Sequence, residues 1–310
     1  MEFFHTTAHY NFMGYRKVTA YISVFVTLFC LTGLFTKGLN FALDFTGGTQ
    51  FELRYDKPVE LTWVRETLSK EGYHGKVSHY GAQDQVMLRL PEKEAKTLSP
   101  EQWKAFLHQQ LSAEHNPVSV ERMEFVGSEV GEELAQQGIL AVLVALVATM
   151  LYIAFRFEYR FAFSSALALL HDPIVILGVF AWFQLEFDIA TLASILAVLG
   201  YSLNDTIVVF DRIRENFKKI RKGTPYDILN QSINETLSRT IMTSVLTLLV
   251  VVALYCLGGE ALKGFSLAFI IGILVGTYSS IYIASSLALT FGISRLDFLP
   301  RPKQPEDALP

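Results

Sequence analysis

The residue that chemistry must first account for is an aspartate inside an apolar run. In ILAVLGYSLNDTIVVFDRIRENFKK, residues 195–219, Asp205 is followed by Ile207, Val208, Val209 and Phe210 before the chain turns charged. Insertion scales charge about 2.5–3.5 kcal/mol for an Asp at the centre of a membrane span, so such a residue usually has a partner or a task. On a helix, Thr191, Ser194, Tyr201, Ser202 and Asp205 fall on one face, with Val198 the apolar member of the line. The next apolar stretch, ETLSRTIMTSVLTLLVV, offers a complement, because Arg239, Thr243 and Thr247 recur every four residues. Asp205 lies about 9 Å up its helix from Asp211, and Arg239 about 6 Å up from Glu235, by the standard rise. Those depths suit a salt bridge or a water-separated pair.

Burial and a nearby guanidinium act in opposite senses on a carboxyl's hold on its proton. Arg239 keeps its charge throughout, so Asp205 is the member that can exchange a proton. Moving one charge through 100 mV yields about 2.3 kcal/mol, enough to bias a conformational equilibrium roughly fifty-fold. The alternative is a static clamp between two helices. Asn204, Ser202 and Thr243 stand beside the pair as supporting residues. His171 and Asp172, followed by Pro173, sit near the middle of an earlier run. They could act as a relay or support a proline kink, and the supporting role is favoured because no cation can be placed beside Asp172. In FALDFTGGT, Gly47 and Gly48 permit a turn that other residues resist, and Asp44 can bond nearby amides. The segment reads equally as a turn leaving the membrane or as a hinge. Gly264, Ala268, Gly272, Gly276, Ser280, Ala284 and Ala288 repeat every fourth residue and form a close-packing seam, within the chain or against a partner.

The elements that position these residues follow from composition. Of 310 residues, 51% are apolar and only 18% charged, against about a quarter in soluble chains. A mean hydropathy of +0.32 points to lipid, and a net charge of −4 gives no argument for nucleic acid. Six apolar runs, 18–36, 138–157, 161–185, 189–210, 240–257 and 265–291, are long enough to cross a bilayer. The first reads as an uncleaved anchor, being longer than a signal-peptide core and lacking a small-x-small site. Basic residues gather between spans 2 and 3, between spans 4 and 5, and after span 6, which places both termini in the cytosol. Cys30 and Cys256 both fall in apolar runs and read as buried small side chains.

The chain therefore divides into a cytosolic N-terminus with span 1 (1–37), an extracytoplasmic domain (38–130), a bundle of spans 2–6 (131–295) and a disordered cytosolic tail (296–310). Within the outer domain, strand-like TQFELRY and VSHYGAQDQVMLRL, the latter a hairpin broken at Gly81–Asp84, alternate with two helical segments. One helix stops at Gly72, and the other opens with Ser99 as N-cap and Pro100 at its first position. VSVERMEFVG closes a β-α-β-β-α-β order, that of a small ferredoxin-like α+β module. His74, His79 and His108 lack metal-ligand spacing, so neither a metal nor any cofactor other than protons is expected.

LDFTGGT, EFVGSEVGEELAQQG, HD, GYSLNDTIVVFDRIRENFKKIRKGTPY and TLSRTIMTS, in that order, resemble the SecF family, whose members form the smaller part of the bacterial SecDF complex within the RND transporter superfamily. The likeness runs from about residue 10 to 295 and implies an α-helical, six-span RND-type half with one outer domain. It implies a protein of the inner membrane that pairs with a SecD-type six-span subunit and cooperates with a SecYEG-type channel. There it would use the proton-motive force to promote late steps of preprotein translocation, without enzymatic activity. The family's proton-handling Asp and Arg fall on Asp205 and Arg239, and its glycine-rich junction on Asp44, Gly47 and Gly48. Pro173 departs from the usual branched apolar residue after HD, so little carries over to span 3. Rival readings are an intramembrane aspartyl protease using Asp172 and Asp205, an efflux half-transporter, and a purely structural subunit. Six spans make half of a two-fold transporter body, so a second half is expected.

Overall fold

A computed structural model describes residues 9–113 and 115–298. In chain order it contains α1 (Arg16–Lys37), β1 (Asn40–Phe41), α2 (Leu43–Thr46), β2 (Gly48–Tyr55), α3 (Leu61–Lys70), β3 (Lys76–Tyr80), β4 (Ala82–Leu90), α4 (Glu92–Ala95), α5 (Pro100–Leu111) and β5 (Val118–Val126). There follow α6 (Ser128–Arg156), α7 (Tyr159–Phe183), β6 (Glu186–Phe187), α8 (Ile189–Lys219), α9 (Pro225–Leu257) and α10 (Lys263–Tyr278). The last of these passes through a π turn (Ser279–Ala284) into α11 (Ser285–Thr290). Among the described residues, six helices are long and apolar enough to cross a membrane.

Between α1 and α6 stands a four-stranded antiparallel sheet of order β3-β4-β2-β5, the arrangement of a ferredoxin-like split β-α-β. Alternation along β2 and β4 turns Phe51, Leu53, Val86 and Leu88 inward, where α3 and α5 bring Val64, Leu68, Trp103 and Leu107. Ser99 caps α5 in a capping box with Gln102, and the indole of Trp103 donates to Ala95 O at 2.8 Å. The hairpin turns at Gly81, tighter than the Gly81–Asp84 break expected, because Gly81 takes a φ of +71° and lets β4 begin at Ala82.

Several elements differ from expectation. α6, α8 and α9 run on well past their apolar segments, since helix continuation needs only backbone bonds and polar contacts once the bilayer is left. Thr224 and Asp227 form a capping box at the start of α9, with Pro225 at its first position. Asn216 of α8 donates to Ser232 and Glu235 of α9, at 2.9 and 2.8 Å, which zips the two extensions together. α7 is unbroken through Pro173. The seam helix instead deforms at the π turn, which nothing in its small-residue repeat announces. β1 pairs in parallel with β6, joining the end of the first span to the loop between the third and fourth. Cys30 is buried but Cys256 is exposed on the outer face of α9, because an apolar helix side can face lipid as well as core. The expected disordered tail begins too early at 296: Asp297 pairs with Arg160 at 2.7 Å and Phe298 packs into the bundle core. The remainder, 299–310, lies outside the described residues.

The sheet domain is tied to the bundle at its base. Gly47 and Gly48 adopt φ of +66° and +120°, and a Cβ on either would lie 2.7 Å from Ser128 Cα or 2.4 Å from Leu90 O. The pair is a close-packed corner against the start of α6. Glu92 accepts from the Ser128 amide at 2.9 Å and pairs with Lys96. The Lys96 ammonium first, then the Ser128 contacts, hold this carboxyl down at about 2. Arg89 of β4 pairs with Glu186 of β6, completing the junction.

Candidate functional site

α8 supplies the spine of the site. Asp188 caps it, accepting from the Thr191 amide at 2.6 Å, and its polar stripe turns inward: Thr191, Ser194, Ser202 and Asp205 are all buried. α10 lies along that stripe because its seam leaves room. A Cβ on Gly264 would meet Thr191, one on Gly272 would come within 2.2 Å of Val198, and one on Gly276 would touch Ser202. The partner of the seam is therefore α8 of the same chain, and Ser280 continues the seam into chemistry.

Asp205 is 7% exposed. Its Oδ1 accepts from Thr240 Oγ1 of α9 at 2.7 Å, and its Oδ2 from Ser280 Oγ of the π turn at 2.6 Å. Asp172, on α7, is fully buried. Its Oδ2 accepts from Ser202 Oγ at 2.5 Å and Ser279 Oγ at 2.9 Å, while its Oδ1 lies 3.1 Å from His171 Nδ1. The two carboxyl groups are thus held by separate sets of donors. Tyr201 donates to Ser244, which bonds Thr277 at 2.7 Å, adding a second polar tie among α8, α9 and α10.

Arg239 does not join this cluster. It is exposed, it makes no ion pair within 4.0 Å among the described residues, and it acts on Asp205 only through longer-range attraction. The reason is angular: neighbouring residues on a helix point about 100° apart, and it is Thr240 that faces in. Thr243 is also exposed, donating back to Arg239 O, and Asn204 is exposed on α8. The inward face of α9 is Thr236, Thr240 and Ser244. That repeat is as regular as Arg239, Thr243 and Thr247, and it is the one that meets Asp205 in this structure. Ser279 was missed, since its access to Asp172 depends on the π turn.

Asp44 reaches further than its own turn. Its Oδ2 accepts from the Ile189 amide at 3.1 Å, binding the glycine corner to the first residue of α8. Ile189 and Asp205 are joined by one unbroken helix, about 24 Å along its axis.

Comparison with known proteins adds the lineage. A model of the protein-export membrane protein SecD/SecF C-terminal family matches residues 107–294, and one of the SecD/SecF GG motif matches 32–59. The chain belongs to the SecD/SecF protein-export family. It is 46% identical over 293 residues to protein translocase subunit SecF of Pseudomonas aeruginosa, covering 94% of each chain. Over 300 residues it is 42% identical to the SecF subunit of Escherichia coli O157:H7, covering 96% of this chain and 93% of that one. Protein translocase subunit SecDF of Thermus thermophilus is 40% identical, with 91% of this chain matching 38% of its length. A crystal structure of SecDF from Thermus thermophilus superposes with a TM-score of 0.83 at 38% identity, covering 93% of this chain and 39% of that one. A crystal structure of SecDF in a super-membrane-facing form gives 0.68. The GG-motif match includes Gly47 and Gly48, and the larger match includes both buried carboxylates. The chain is a multi-pass membrane protein of this family, with a six-helix bundle and a small sheet domain.

Proposed function

We propose that this chain is the SecF-type half of a Sec export motor, using the proton-motive force with a SecD-type half to promote late steps of preprotein translocation through a SecYEG-type channel. In this reading it resides in the bacterial inner membrane with both termini cytosolic and the sheet domain periplasmic. It performs no covalent chemistry, and its working ligand is the proton. Asp205 is the reversible proton site and Arg239 its mobile counter-ion.

The observation that carries the reading is the environment of Asp205. A buried carboxylate held, among the described residues, by two hydroxyls from two other helices loses little when it takes up a proton, because a hydroxyl can accept as well as donate. A permanent Asp–Arg pair would resist that exchange. Arg239 and Asn204 stand exposed at membrane depth, which suits a face covered by a second half-transporter. The length of the Thermus SecDF relative, of which this chain matches about two fifths, agrees with such a pairing. Asp44, bonded to the start of α8, offers a rigid route from the proton site to the sheet domain.

The test is export in inverted membrane vesicles, comparing wild type with Asp205→Asn at equal abundance, with and without a proton gradient. Loss of the gradient-dependent fraction, with assembly intact, supports the reading. Full gradient dependence in the variant would reduce Asp205 to a helix clamp and sink the mechanism.

A further inference from the structure

The export reading leaves Asp172 without a task, although it is the more deeply buried of the two carboxyl groups. Two neighbouring hydroxyls connect it to Asp205. Ser279 donates to Asp172 and Ser280 to Asp205, and both belong to the π turn that interrupts the sixth span. Adjacent residues of a regular helix point far apart, so they seldom serve two sites of one cluster. Single π turns inside α-helices occur frequently at functional sites.

Each serine also has a second acceptor within reach. Ser279 Oγ is 2.9 Å from Asp172 Oδ2 and 3.1 Å from Gly276 O. Ser280 Oγ is 2.6 Å from Asp205 Oδ2 and 3.1 Å from Thr277 O. A hydroxyl has one proton to donate. When the carboxyl is ionised the serine donates to it. When the carboxyl is protonated its own O–H donates to the serine oxygen, and the serine proton turns to the backbone carbonyl. Either event changes the hydrogen bonding of the same short segment of span 6.

We propose that Asp172 is a second proton-binding carboxylate, coupled to Asp205 through the paired hydroxyls of Ser279 and Ser280. The proposal deepens the export-motor reading and rests on it. The π turn is then the element that registers how many protons the site holds. Ser202 ties Asp172 to α8 as well, three residues before Asp205, giving the two groups a second common support. The titratable side chain in contact with Asp172 is His171 of its own helix; Asp205 lies one turn of α8 beyond the donor Ser202, Tyr278 precedes the donor Ser279, and Cys30 of α1 bonds Val175 O one turn along α7. No Lys or Arg lies within 4.0 Å of it among the described residues.

The experiment is pH-difference infrared spectroscopy of the full chain in lipid bilayers, read in the protonated-carboxyl region. Wild type is compared with Asp172→Asn, Asp205→Asn and Ser279→Ala. The expected wild-type spectrum has two buried carboxyl components, and each Asn variant removes one. In Asp172→Asn the remaining component changes its midpoint by about one pH unit, as interacting sites do. Ser279→Ala keeps both components and shifts the one that Asp172→Asn removes. An Asp172→Asn spectrum identical to wild type would overturn the proposal. An unchanged Asp205→Asn spectrum would instead overturn the proton role of Asp205, whatever Asp172 does. If Asp172→Asn fails to fold by size exclusion, Ser279→Ala decides: a shifted component supports the coupling, and an unchanged spectrum refutes it.

Discussion

The sheet domain and the membrane bundle are built by opposite rules within one chain. The sheet domain hides its largest side chains, with Trp103, Phe51 and Tyr55 at 2% exposure or less. The bundle leaves Phe25, Phe35, Phe155 and Leu257 outside and buries Ser164, Asp172, Ser194, Ser202 and Ser279. Water drives apolar surface inward in the first case. Lipid is as apolar as leucine, so in the second case helices associate through close approach of small residues and hydrogen bonds. The polar interior that results buries two carboxylates with donors already arranged around them.

That contrast can be broken from either side. Trp103→Ala should cost about 3–5 kcal/mol, the range for emptying a large aromatic site. Hydrogen exchange by mass spectrometry should show β2, β4 and α5 opening while α7, α8 and α10 keep their protection. Opening of both regions together would mean that they fold as one unit. Gly272→Ala should act in reverse. Its methyl would collide with Val198, and overpacking of this kind costs about 1–3 kcal/mol, here toward the upper end. The loss should fall on the α8–α10 seam and leave the sheet domain unaltered.

Two further variants sharpen the comparison. Thr240→Val keeps the shape but removes a donor to Asp205, so it should destabilise the bundle by about 1.5–3 kcal/mol if the carboxylate is ionised. Thr243→Val, on the exposed face, should stay within about 0.5 kcal/mol. Equal effects in thermal unfolding would mean that α9 presents a different face from the one described. The smallest effect belongs to Glu92. Its folded-state value near 2 lies below the ordinary 4.5, so its contribution is present above pH 4.5 and is lost as pH falls toward 2. Glu92→Gln should flatten that acid leg of stability, read as exchange at the first amides of α6. The effect is small because the group is solvent-screened.

Much of this architecture was legible beforehand. The six apolar runs, the order of strands and helices in the sheet domain, the Ser99 cap and the inward stripe of α8 all follow from periodicity, capping chemistry and the cost of burying charge. What periodicity does not supply is angular or long-range. Charge made Arg239 conspicuous, yet the 100° step between neighbours gave the bond to Thr240. The pairing of β1 with β6 and the bond from Asp44 to Ile189 join residues more than 140 positions apart.

The sequence by itself determined that a carboxylate would lie in the membrane, on a polar helix face, beside a seam of small residues. Those are properties of composition and of helical repeat, which local covalent geometry imposes wherever the chain goes. Only the tertiary structure decided which hydroxyls meet Asp205, that Asp172 shares a π turn with it, and that Arg239 stays outside. Such choices rest on how four helices are rotated against one another, and that is settled by packing contacts no single segment contains.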